Sequence, residues 1–292
     1  MEGGHEPPSR GLADAGPLRR RQRPSASPDG EVLGVNRLAV VSVASRPMAR
    51  AIKAVTFDFW NTIARSRSGE AMVKARHKAV AAACEAWDLE VEAELLAETL
   101  EEVTASYEGS WSAGTHFHPD QGAEMLVAAL GIDGAAREAV AEAFLIAGRG
   151  ARLELAPNIQ PCLEALGERG LRLGIVCDVG FTGGELLREF LDREGLLVRF
   201  SGWAFSDEVG HYKPSPQIFE AALGALDAEP GESAHVGDLR RTDIAGAGAV
   251  GMTTVRYRGL HDDRGEDGGG EADFVLDSHG ELPPLLDRIA AA

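Results

Sequence analysis

Cysteine is scarce in this 292-residue chain. Cys84, Cys162 and Cys177 are three in number, too sparse and too odd a set for a disulfide framework. That usage fits a reducing compartment, and a cytoplasmic setting is the expectation. No apolar run is long enough to cross a bilayer, and no internal repeat is visible. Basic residues are outnumbered, 29 Lys and Arg against 46 Asp and Glu, for a formal net charge of −17. A mean field of that sign repels phosphate polymers and anionic lipid, which argues against a nucleic-acid or membrane partner. A small anionic substrate remains compatible where a metal and a lysine reverse the field locally. What is present is 44% hydrophobic content, enough for one large core or a core plus an insert.

Residues 1–49 differ from the rest. Pro, Gly, Ser and Arg dominate and periodicity is weak, so a disordered N-terminal extension is expected there. The arginines at 19–23 and the apolar run 38–44 imitate an export signal faintly. The run is short, lies far from the arginines and lacks a convincing cleavage site, so export is not expected. Met48, just before the first strand, is read as the true start.

The stretch around Asp58 organises the rest of the chain. Residues 54–57 form a β-branched and aromatic run, ending at Asp58 and a polar turn through Asn61 and Thr62. Such a run reads as a buried strand of a parallel sheet, and open α/β sheets bind ligands just beyond their strands' carboxyl ends. A carboxylate there needs a metal, a cation or hydrogen-bond donors; taken alone, Asp58 is equally compatible with a turn or helix cap.

From 64 to 155 the pattern is helical. Val73, His77, Val80, Cys84 and Trp87 step by four and three, and Val91, Leu95, Val103 and Tyr107 continue along a second helix. Two further helices are expected near 123–130 and 135–146. Residues 109–119 read as a loop from their Gly and Pro content. His77 is read as a core histidine, and His116 and His118 as candidates for substrate contact. This block stands between two strand-helix regions, so it is read as an inserted all-helical domain. Beyond it, 171–178, 203–206, 234–238, 252–257 and 274–276 are the expected strands, alternating with helices. The fold class is α/β, a Rossmann-like doubly wound parallel sheet: core at 50–63 and 156–292, helical insert at 64–155.

Asp58, Cys177 with Asp178, Lys213, and Asp238 with Asp243 all fall at or just past strand ends. Parallel strands bring such residues to one crevice. Several carboxylates make a hard-oxygen site suited to Mg²⁺, and a lysine beside them neutralises both a nucleophilic aspartate and a phosphoryl oxygen.

These motifs resemble the haloacid dehalogenase-like hydrolase superfamily with a helical cap. Residues 57–62 are similar to its first motif, 174–178 to its second, 212–214 to its third and 237–243 to its fourth; the likeness spans roughly 52–290. It implies Asp58 as nucleophile and metal ligand, the Trp60 carbonyl as a second ligand, and Lys213 joining nucleophile and substrate. It implies Asp238 and Asp243 as the other Mg²⁺ ligands, and residues 64–155 as a cap whose loops, with Trp111, His116 and His118, select the substrate. The expected function is Mg²⁺-dependent phosphate-ester hydrolysis of a small metabolite. Two departures stand out. The family's phosphatases carry a second aspartate two positions after the nucleophile, where this chain has Trp60, which cannot move a proton. Cys177 stands where Ser or Thr is usual, and Asp178 where Asn is common. An aromatic at position 60 keeps a 2-haloacid dehalogenase-type reaction in view, as well as a binding or regulatory protein that has lost turnover.

Overall fold

The computed structural model describes residues 51–66, 69–150 and 152–291. The expectations for residues 1–49, including the start at Met48 and the export-like stretch, lie outside the described residues. The chain runs β1 (Ala54–Phe57), β2 (Ala64–Ser66), α1 (Gly69–Ala86), α2 (Ala93–Ser112), α3 (Pro119–Ala129), α4 (Gly134–Ile146) and β3 (Leu153–Leu155). It continues through α5 (Ile159–Glu168), β4 (Arg172–Cys177), α6 (Gly184–Arg193), β5 (Gly202–Phe205), α7 (Ser206–Val209) and α8 (Pro216–Ala225). Then follow β6 (Ser233–Gly237), α9 (Ala245–Val250), β7 (Thr253–Tyr257), β8 (Phe274–Leu276) and α10 (Leu282–Ala290).

Six strands form one parallel sheet in the order β5-β4-β1-β6-β7-β8. β1 is central because its four residues are all buried: Ala54, Val55, Thr56 and Phe57 expose essentially nothing. Side chains alternate across the sheet. Val55, Phe57, Leu173, Ile175, Cys177, Ala234 and Val236 join the apolar cluster containing α5, α6 and α10. Val176 and Ala204 instead pack with Ile218, Phe219 and Ala247 of α8 and α9. Helices therefore cover both faces, and the sheet is doubly wound. From β1 the chain builds outward to β4 and β5, then returns to the other side through β6. That reversal puts the topological switch between β1 and its neighbours, where open α/β sheets hold their ligands.

The four helices α1–α4 have a core of their own, with Val80, Leu96, Leu100, Val103, Leu126, Val140 and Phe144. Phe181 and Tyr212, from loops beyond β4 and β5, belong to the same cluster and dock it on the sheet. The stripe was only half legible. Val73, Trp87 and Leu95 are exposed and His77 is half-buried, while Leu96, Thr99 and Leu100 take the inward positions on α2. The expected loop at 109–119 is also shorter: α2 runs on to Ser112 and closes where the Ala113 N–H donates to the Gly109 carbonyl and the Gly114 N–H to the Trp111 carbonyl. Glycine at 109 costs a helix only about 1 kcal/mol, which packing of the Trp111 end offsets. β2 and β3 pair antiparallel where the helical block leaves and rejoins the sheet. Three residues each, they are too short for a period-2 signal to register.

Candidate active site

Each strand feeding the crevice ends at a polar residue held by a defined bond. Asp58 follows β1, its N–H donating to the Val236 carbonyl at 2.8 Å, and so stands beside the end of β6. The chain then turns sharply, with Asn61 in the left-handed region (φ 57°) and its N–H on the Ala64 carbonyl at 2.8 Å. Asn tolerates that conformation better than most residues. Trp60 opens the turn, and its ring meets Phe59 edge-on, centroids 5.0 Å apart. Asp243 arrives from a wide helical turn after β6 and folds back over the strand end: a side chain at Gly237 would overlap its carboxyl, so only glycine fits there.

Lys213 ties these together. Its ammonium, 4% exposed, lies 2.5 Å from Asp58 Oδ1 and 2.7 Å from Asp243 Oδ1. One carboxylate oxygen from each of Asp58, Asp238 and Asp243 lies within 4.8 Å of the others, all three residues buried. Burial works against the Lys213 ammonium, but Asp243 and Asp58 hold it charged well above its ordinary range. Burial also opposes ionisation of Asp243, yet Lys213 and a hydrogen bond with His235 overcome it and keep this carboxyl well below the usual range. Asp58 and Asp238 are pushed up, chiefly by burial, with Lys213 offsetting part of the effect on Asp58. One lysine therefore faces more buried negative charge than it can balance. A hard divalent cation bound by these oxygens would supply the missing positive charge, so the donor set fits one.

The second motif splits in two. Cys177 is fully buried in the cluster containing α5 and α6, and burial raises its thiol well above the ordinary value. Asp178 accepts the Lys213 backbone N–H on Oδ1 (3.0 Å) and the Trp111 indole N–H on Oδ2 (3.0 Å). Trp111 thus reaches the site from the end of α2. His116 stands against Tyr212, ring centroids 5.1 Å apart, next to Lys213 in sequence. His118 instead caps α3, accepting the Asp120 N–H at 3.2 Å. It lines a cleft of about 360 Å³ with Phe181, Arg188 and Asp207, none of them at the Asp58 centre.

Two supports escaped the sequence reading. His235, on β6, bridges Thr56 Oγ1 (2.8 Å) and Asp243 Oδ1 (3.1 Å), and burial lowers its pKa. His261 meets Asp238 Oδ2 at 2.8 Å, a hydrogen bond that raises its pKa. A polar residue amid the strand 233–237 was the available signal for His235; nothing local pointed to His261.

An acidic centre with an embedded lysine, at the switch point of a doubly wound sheet, is the arrangement of a hydrolytic or group-transfer α/β enzyme. The comparisons narrow it. Residues 52–251 match the model of the haloacid dehalogenase-like hydrolases. The glyceraldehyde 3-phosphate phosphatase of Methanopyrus kandleri is 32% identical over 247 residues, covering 82% of this chain and 99% of that one. The phosphoserine phosphatase of Thermus thermophilus is 39% identical over 134 residues, 45% of this chain and 51% of that one. Among solved structures, a HAD phosphatase from Thermococcus onnurineus aligns with TM-score 0.53 at 26% identity, covering 80% of this chain and 98% of that one. A 2-haloacid dehalogenase from Pseudomonas syringae aligns at TM-score 0.61 and 24% identity, covering 81% and 99%, and shows the shared fold alone. The chain belongs to the haloacid dehalogenase-like hydrolase family.

Proposed function

We propose that this hydrolase is a Mg²⁺-dependent phosphohydrolase acting on a small phosphorylated metabolite through an aspartyl-phosphate at Asp58. The observation that carries the reading is the gathering of Asp58, Asp238 and Asp243 within 4.8 Å of one another, with the Lys213 ammonium bonded to Asp58 and Asp243. The phosphatase relatives support it.

Asp58 Oδ attacks phosphorus in line, the bond to the ester oxygen breaks, and the leaving oxygen departs with the electron pair and takes its proton from solvent. Lys213 holds the attacking carboxylate in place and balances charge on the equatorial oxygens. Asp58, Asp238 and Asp243, with the Trp60 carbonyl, would hold Mg²⁺, which when bound screens the carboxylates from the phosphoryl group. His235 fixes Asp243 from below, so that oxygen cannot swing away when substrate arrives. Water then attacks phosphorus, releasing inorganic phosphate and restoring the carboxylate. Trp60 offers no proton for either step, which favours esters with good leaving groups or a slow turnover. The helical block 64–155 acts as the cap, excluding water through Trp111 and the His116–Tyr212 contact.

A panel of phosphorylated metabolites and p-nitrophenyl phosphate, assayed with Mg²⁺ and after chelation, tests the proposal. Metal-dependent phosphate release that Asp58→Asn abolishes is expected. Chloride release from 2-chloropropionate without metal, and no phosphate release, would replace this reading with the dehalogenase reaction. Ligand binding with no turnover on either panel would make the chain a binding protein.

A further inference from the structure

Arg240 and Arg241 are neighbours with opposite surroundings. Arg240 is engaged: its Nη2 pairs with Glu271 at 2.8 Å and its Nε donates to the Asp263 carbonyl at 3.1 Å. Arg241 pairs with no carboxylate among the described residues. Its side chain lies instead on the Trp111 indole, with the guanidinium carbon 4.4 Å from the ring centroid. In a chain of net charge −17, a half-buried guanidinium without an acidic partner is conspicuous.

Its position is defined by a short relay of contacts. Arg241 rests on Trp111, the Trp111 N–H binds Asp178, Asp178 accepts the Lys213 N–H, and Lys213 Nζ binds Asp58. Arg241 therefore stands on the rim of the reaction centre, three residues after Asp238, where the helical block meets the sheet. The nearest of these carboxylates in the relay, Asp178, has both oxygens engaged. Tyr107, one turn before Trp111 on α2, lies against Gly180, two residues after Asp178, so the indole sits in an aromatic wall. Stacking on an indole fixes the plane of a guanidinium while leaving its N–H fork free, the state suited to binding a planar or tetrahedral anion.

We infer that Arg241, braced by Trp111, binds a second anionic group on the substrate, so that the enzyme selects phosphomonoesters whose alcohol portion carries a carboxylate or another phosphate. This rests on the phosphohydrolase reading above. Binding energy from that remote group orients the ester oxygen and phosphorus toward Asp58, where the missing proton donor makes orientation matter more.

The test compares 3-phosphoglycerate with glycerol 3-phosphate, which differ in carboxylate against alcohol, and adds fructose 1,6-bisphosphate for the second-phosphate case. In the wild type, kcat/KM for at least one of the two anionic esters exceeds that for glycerol 3-phosphate. In Arg241→Gln that ratio falls about tenfold to a hundredfold, the loss of one charge-assisted interaction, and mainly through KM; Arg241→Lys recovers part of it. An equal proportional fall on all three esters would mean Arg241 only latches the cap, and would overturn the inference, as would a wild type with no preference. Calorimetric binding of the same esters to Asp58→Asn, with and without Arg241→Gln, reads the same ratio without turnover. If the wild type releases phosphate from none of the three, nor from p-nitrophenyl phosphate and the wider panel, the phosphohydrolase reading fails separately. The binding ratio then decides Arg241 alone: an Arg241-dependent preference upholds its role as an anion site, and equal affinities end it.

Discussion

Lys213→Met removes a buried charge while keeping much of the side chain's volume, and its effect can be worked from the contacts. The wild-type ammonium touches Asp58 at 2.5 Å and Asp243 at 2.7 Å, all three groups almost wholly buried. Removing one member of a buried ionic cluster leaves the others uncompensated, a loss of roughly 3–5 kcal/mol. Asp243 sets the most acidic part of the pH dependence. Its folded pKa is depressed, so its stabilisation is present above the unfolded value of about 3.9 and is lost as pH falls toward the folded one. Lys213 has a raised folded pKa, so its share is fully present below about 10.4 and lost only at higher pH. The variant's deficit therefore narrows as pH falls from neutrality, first as Asp58, whose folded pKa burial raises, takes up a proton, and again below about pH 4 as Asp243 does. Urea unfolding of wild type and variant from pH 3 to pH 8, without divalent metal, measures it. Turnover falls in parallel by about 10²–10³, the usual cost of one preorganised charge at a reacting centre. A variant as stable as wild type at pH 7 would refute the reasoning that Lys213 neutralises these carboxylates.

Other perturbations probe separate parts of the account. His279 is buried, stacks on Tyr257 at 4.0 Å and donates from Nε2 to the Thr62 carbonyl at 2.8 Å, and burial lowers its pKa to about 4. A depressed histidine favours the neutral fold, so stability is full above about pH 6.5 and declines as pH falls toward 4, by roughly 3 kcal/mol. His279→Gln should flatten that part of the unfolding profile; an unaltered slope would assign it to other groups. Trp60→Asp should raise kcat on alkyl phosphates at least tenfold, of the order that general acid help supplies. No gain in a folded variant would mean proton supply does not limit turnover.

The sequence made the centre of the sheet legible because β1, β4 and β6 are buried runs followed by a carboxylate. Residues 54–57, 172–177 and 233–237 sit between glycines or charges, and the burial that makes them strands also delivers Asp58, Asp178 and Asp238 to one edge. The helical block was harder. Alanine-rich helices offer several nearly equivalent stripes, and docking chose Leu96 and Leu100 over Leu95, leaving Val73 and Trp87 in solvent. The Trp111–Asp178 bond and the Arg241 stack depend on how that block meets the sheet, which no local spacing encodes. His118 shows the converse, a residue singled out for substrate whose ring nitrogen is taken up by the α3 N-terminus.

Acid quenching during turnover of a phosphate ester, followed by mass spectrometry of the peptide containing Asp58, tests the central claim most directly. The account predicts one phosphoryl group on Asp58, present only with substrate and Mg²⁺ and absent from Lys213→Met under the same conditions. Steady phosphate release, with no phosphoryl group ever trapped on Asp58, would contradict it.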